Sequence, residues 1–318
     1  MNQTFGIVLP VFGLIGIGYA IAWTGMFEEA VGEALGDFVF AIAMPVLIFR
    51  TIATADFSGA SPWRLWLPFF LGYAIVWAVG HVMVRKVFGR DARAGLVGGI
   101  SGAYGNVVMV GIPMSIAAYG DRGAAAIALI VAVHLPVMMA ASAILIGRVE
   151  RLDGIATAEI DRRQALRSAA HNVVRNPIVI GIALGGLWWL VGIPLAGLTR
   201  TLVDRIADVA TTLALLAMGM SLGKYGMHRN VPAGLALSVL KLVALPALVF
   251  LLCRTLVAMP PVWAKVAVIA AACPTGVNAY VVASRFRTGE ALSSNAITLT
   301  TALAVVTVAV WLHVLAGM

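Results

Sequence analysis

The chain has 318 residues, 61% of them hydrophobic and 11% charged, with a formal net charge of +8 and a mean hydropathy of +0.98. Soluble domains carry about 25% charged residues, so a water-soluble fold of this length is excluded for want of charge to cover its surface. The basic excess sits in short connectors between apolar runs, where the bias of Lys and Arg toward cytoplasmic loops puts it, and no nucleic acid partner is expected.

Only helices or closed barrels cross lipid, because every backbone group must pair internally. The apolar runs here last about 20 residues, which is helix rather than barrel-strand length. Ten spans are predicted, at residues 4–23, 36–53, 65–88, 94–118, 123–147, 177–191, 202–222, 231–257, 263–284 and 291–315. The start at Met1, Asn2, Gln3 and Thr4 lacks the basic stretch of a secretory signal, so the first run is expected to be a retained membrane helix. The fold class is therefore all-α, a polytopic membrane protein with the lipid bilayer as its surroundings.

The longest polar stretch, residues 148–176, separates five spans (1–147) from five (177–318). An odd number per half turns the second half upside down, which is the arithmetic of an inverted repeat and a common plan for transporters. One set of alternate connectors holds 14 Lys and Arg residues and the other set 7. The richer set is expected to be cytoplasmic and both termini extracytoplasmic.

The fourth span reads Gly105-Asn106-Val107-Val108-Met109-Val110-Gly111-Ile112-Pro113, and the ninth Cys273-Pro274-Thr275-Gly276-Val277-Asn278. Proline removes a backbone donor and clashes with the preceding turn; glycine permits sharp departures. Together they favour opened helices, tolerated at membrane depth only beside protein or a cavity. Two such segments at matching positions point to a transporter site, whereas a pair of plain proline kinks would have no such role. Asn106 and Asn278 can hold a carboxylate, a cation or the other broken helix. Half-helix N-termini favour anions, and a small organic anion is the expected substrate.

Four further polar residues lie within spans. Lys241, central in the eighth, is costly in lipid and must face protein or a wet cavity. It is read either as a substrate or coupling residue or as a partner of backbone carbonyls. His134, mid-span in the fifth, is a proton carrier or a hydrogen-bonded packing histidine. Asn295 and Thr298 share a face of the last span and either line a path or bond to a neighbouring helix.

No carboxylate stands clearly mid-membrane, which argues against an antiporter built on buried Asp pairs. No H-E-x-x-H, G-x-S-x-G or Walker pattern occurs, so neither an enzyme nor a cofactor is expected. Cys253 and Cys273 form no C-x-x-C pair and give no disulfide or metal framework.

Several motifs together carry a family likeness: Leu9-Pro10-Val11-Phe12, Met44-Pro45-Val46-Leu47-Ile48-Phe49, Gly105 to Pro113, and Asn176-Pro177. They continue with Val191-Gly192-Ile193-Pro194-Leu195, Met218-Gly219-Met220-Ser221-Leu222, Lys241 with Pro246, and Pro274 to Ala279. In order and spacing the chain resembles the auxin efflux carrier family, which holds plant PIN carriers and bacterial malonate-type permeases. That resemblance implies two inverted five-helix repeats whose broken fourth and ninth helices cross and bind substrate. The matching positions are Gly105, Asn106, Pro113, Pro274, Thr275, Gly276 and Asn278. It implies a homodimer through a scaffold of the first two helices of each repeat, an elevator-like movement of the rest, and a bacterial inner membrane location. The long central loop of many plant members is absent, which weighs against auxin itself. Proton or sodium coupling stays open, as does a sodium-coupled symporter related to bile acid carriers. A membrane sensor without flux is the reading from another class.

Overall fold

The computed structural model describes residues 2–55, 61–152, 171, 173–226 and 231–318. Most of the polar connector, residues 153–170 and 172 with Arg162, Arg163 and Arg167, lies outside the described residues, as does Arg229.

The described residues form helices in the predicted order. They are α1 (Asn2–Trp23), α2 (Glu29–Ala53), α3 (Trp63–Lys86), α4 (Ala92–Ala103), α5 (107–119) and α6 (121–152). There follow α7 (Pro177–Val191), α8 (Gly197–Ser221), α9 (Val231–Thr255), α10 (Pro261–Ala272), α11 (Asn278–Phe286) and α12 (Glu290–Ala316). Among the described residues seven helical runs are long and apolar enough to cross a membrane, one of them taking in α5 and much of α6, and α7 and α10 are shorter apolar ones. Helices α4 and α5 make one interrupted segment and α10 and α11 another, so the twelve fall into ten segments. The second starts at Glu29 rather than at residue 36, because its first turns are polar and hydropathy alone passes over them.

Three prolines share one local device. A five-residue π turn precedes Met44-Pro45, Ile112-Pro113 and Leu245-Pro246, at Val39–Ala43, Val107–Gly111 and Leu240–Ala244. In each, the residue before proline donates its N–H five residues back, to Val39, Val107 or Leu240. Proline has no N–H and presses on the carbonyl four residues back; widening the turn by one residue relieves both without breaking the helix. Between α5 and α6 the chain turns at Gly120 (φ 57°, ψ −140°), a conformation open essentially to glycine.

Small residues let the helices approach closely, as membrane packing requires. A Cβ on Gly18 of α1 would stand 2.2 Å from the Leu216 carbonyl of α8, and one on Gly219 of α8 2.0 Å from that of Ile15. Helix α7 meets α2 in the same way, Gly181 against Pro45 and Gly185 against Phe49. Helix α4 carries Gly98 and Gly99 against Gly80, Val84 and Trp77 of α3. From Val266 to Ala272 helix α10 is wholly enclosed by protein. Leu9, Ile17, Leu67, Leu184, Leu187, Val306 and Val310 stay exposed on the outer surface, as apolar side chains of a membrane protein do.

Two ion clusters join α2 to α8. Near the end of α2, Arg50 Nη1 lies 3.1 Å from Asp204 and 2.7 Å from Asp208, both in the first half of α8. Beyond the end of α8, Lys224 pairs with Glu29, at 3.2 Å, and with Glu33 at the start of α2. In each cluster a base from one helix segment grips two acids four residues apart on the other.

Candidate functional site

The two interrupted segments meet at their breaks. Helix α4 ends at Ala103, and α5 begins after Tyr104, Gly105 and Asn106; α10 ends at Ala272, and α11 begins after residues 273–277. Gly105 and Thr275 form an isolated antiparallel bridge. The Asn106 N–H donates to the Pro274 carbonyl at 2.8 Å, and the Gly276 N–H to the Tyr104 carbonyl at 2.9 Å. Backbone freed by one break is thereby paired by the other, which is how irregular chain survives away from water. The approach needs glycine: a Cβ on Gly276 would stand 2.8 Å from the Tyr104 ring, and one on Gly105 3.3 Å from both Lys241 Nζ and the Tyr73 hydroxyl.

The carbonyl ends of the first half-helices are capped. The Thr275 hydroxyl donates to the Ser101 carbonyl at 2.8 Å, while its N–H donates to Thr300 Oγ1 at 2.9 Å. Lys241, 0% exposed, donates from Nζ to the Ala271 carbonyl at 2.5 Å, and the Tyr73 hydroxyl donates to that of Ala270 at 3.3 Å. A cation at the negative end of a helix complements its dipole. The π turn of α9 contains Lys241.

The amino ends of the second half-helices carry the asparagines. Asn106, 7% exposed, caps α5: its Oδ1 accepts from the Met109 N–H at 3.2 Å. Its carbonyl accepts from Val110 and Gly111. Among the described residues Asn106 Nδ2 donates only to the Met218 thioether, at 3.1 Å, and sulfur is a weak acceptor. Asn278 opens α11, is exposed, and donates from Nδ2 to the Tyr104 hydroxyl at 2.6 Å. Among the described residues, the buried polar and charged side chains comprise one lysine, one histidine, two asparagines and hydroxyls, with no carboxylate.

Gly105, Asn106, Pro274, Thr275, Gly276, Asn278 and Lys241 therefore come together. Pro113 does not: it lies about two turns into the second half-helix and belongs to the π-turn device. Asn295 packs against Gly234 of α9, and Thr298 donates to the Tyr225 carbonyl at 3.3 Å. The polar start of α12 reaches the crossover through Thr300 instead, roughly 200° round the helix from Thr298 at 100° per residue. Tyr104 and Met218 complete the site; an aromatic and a thioether in apolar runs read as packing, and only the position of Tyr104 beside Gly105-Asn106 hinted otherwise.

The family profile described as "Membrane transport protein" matches residues 4–312. The chain belongs to this auxin efflux carrier-type family of membrane transport proteins. It is also 30% identical to a protein of Rhizobium meliloti (strain 1021) described as a "Putative malonate transporter", over 97% of this chain and 94% of that protein. As a member of the family the chain is a multi-pass helical membrane protein whose class of activity is transport.

Proposed function

We propose that the chain carries small organic anions, malonate-like carboxylates above all, by alternating access with the anion held at the crossover of the two broken segments. The observation that carries this reading is the meeting of two asparagine-bearing half-helix N-termini beside the enclosed Lys241. Helix N-termini favour negative charge. Asn106 Nδ2 would exchange a weak sulfur acceptor for a carboxylate oxygen, a far stronger one. The R. meliloti protein's description points to the same substrate class.

The mechanism we infer is elevator-like. Helices α1, α2, α7 and α8 pack on one another and form a fixed frame, while the helices around the crossover move with the anion. Two features support an inverted repeat: α1 pairs with α8 as α7 does with α2, and the two ion clusters mirror each other. The frame would join two copies as a homodimer in a bacterial inner membrane, both termini outside.

Purified protein warmed with a panel of dicarboxylates and monocarboxylates tests the site, since bound ligand raises the melting temperature by mass action. Malonate is expected to stabilise the wild type. Asn106→Ala and Asn278→Ala should each weaken its affinity about 10- to 100-fold, the worth of a charge-assisted hydrogen bond of about 1.5–3 kcal/mol. Stabilisation unchanged in both variants would move the site off the crossover. No stabilisation and no counterflow in vesicles with any carboxylate would end the anion reading.

A further inference from the structure

His134 stands next to the crossover and is used by none of the contacts above. It lies on α6 at 2% exposure. Its ring is walled by Phe69, Phe70 and Tyr73 of α3 and by Tyr104 of the break, with ring centroids 5.1–6.4 Å away. The Gly105 backbone approaches it, but neither Nδ1 nor Nε2 reaches a partner among the described residues at hydrogen-bond geometry. An imidazole always has at least one N–H to donate and, when neutral, one lone pair to offer. Burying both without partners is costly, and a histidine kept only for packing would be expected to find at least one.

The groups that face it decide what it can do. Tyr73 comes from α3, Tyr104 from the first break, and Lys241 from α9, with its Nζ 5.9 Å from the Tyr73 ring. Cys273 of the second break donates its thiol to the Ile269 carbonyl. Among the described residues no carboxylate is buried there. The Tyr104 ring that lies on His134 carries the hydroxyl that accepts from the exposed Asn278, so the histidine is one side chain from the surface where an anion would enter.

We propose that His134 takes up the proton that travels with the anion, so that transport is anion–proton symport. This rests on the anion reading above. A second positive charge beside Lys241 has no counter-charge in the protein; a carboxylate at the crossover supplies one. Binding of anion and proton therefore favour each other, and by linkage each strengthens the other equally. Histidine is the side chain whose ordinary titration lies nearest neutral pH. The proton moves from solvent to a ring nitrogen as the anion binds and returns to solvent on the other side as it leaves; no covalent bond is made.

Calorimetry of malonate binding in two buffers of different ionisation enthalpy counts the protons taken up. It is run near neutral pH, where free malonate is already fully ionised. The wild type is expected to take up about one proton per malonate, and its affinity to fall as pH rises. His134→Gln and His134→Asn are expected to bind malonate with no proton uptake and an affinity flat with pH. Binding by the wild type without proton uptake overturns the symport and leaves the anion carrier standing, as does uptake that persists in both variants. If no carboxylate binds at all, the anion reading fails and takes this one with it.

Discussion

At the scale of the residue, the crossover stands on a few hydrogen bonds. Thr275 bridges both halves of the site, donating its hydroxyl to Ser101 and its N–H to Thr300. Thr275→Val keeps the shape and leaves the buried Ser101 carbonyl bare, which costs about 1–3 kcal/mol; the melting temperature should fall by a few degrees, with Thr275→Ser restoring most of it. Gly276→Ala is expected to be worse, because its methyl would meet the Tyr104 ring at 2.8 Å beside a fixed backbone pairing. It should abolish anion-induced stabilisation as well as lower the melting point. The asparagines and glycines of this site were legible in the sequence, since amides and glycines beside a proline in an apolar run have few other uses. Thr300 was not, because serines and threonines that bond their own helix fill the same stretch of α12. Pro113 was read as part of the break because sequence shows a proline's cost but not the π turn at Val107–Gly111 that accommodates it.

At the scale of the element, composition settled most of the architecture: ten apolar runs became ten helical segments, two of them interrupted where glycine, proline and asparagine gather. What hydropathy could not reveal is which helix grips which. The pairing of Arg50 with Asp204 and Asp208 spans more than 150 positions, and charges near span ends read equally well as snorkelling. These pairs are partly exposed, and exposed ion pairs contribute about 0–1 kcal/mol each. Their value lies in register. Lys224→Glu should destabilise by at most about 1 kcal/mol per broken pair, and Glu29→Lys with Glu33→Lys in the same chain should recover the loss in a double-mutant cycle. Cysteine pairs at Arg50 with Asp208 and at Glu33 with Lys224, once bridged by a reducible thiol-specific cross-linker long enough to span the replaced side chains, are expected to leave malonate counterflow intact. Loss of counterflow on cross-linking, regained with reductant, would show that α2 and α8 move against each other and remove the fixed frame.

At the scale of the whole molecule two kinds of joint recur: close glycine contacts hold α1 to α8 and α2 to α7, while caps and backbone pairing hold the breaks. The reciprocal ion clusters have a consequence for the bilayer itself. The acids and the base of each helix segment stand 16 to 21 residues apart, which at 1.5 Å per residue is about 24–32 Å, close to the depth of the hydrocarbon layer. Charges so spaced fit the two water boundaries of a layer of that depth, and the pairs resist either helix sliding to suit a different thickness. The protein carries its own gauge of the lipid it needs. In vesicles of graded acyl-chain length, transport should peak where the apolar layer is about 30 Å and decline as longer chains pull those charges toward oil.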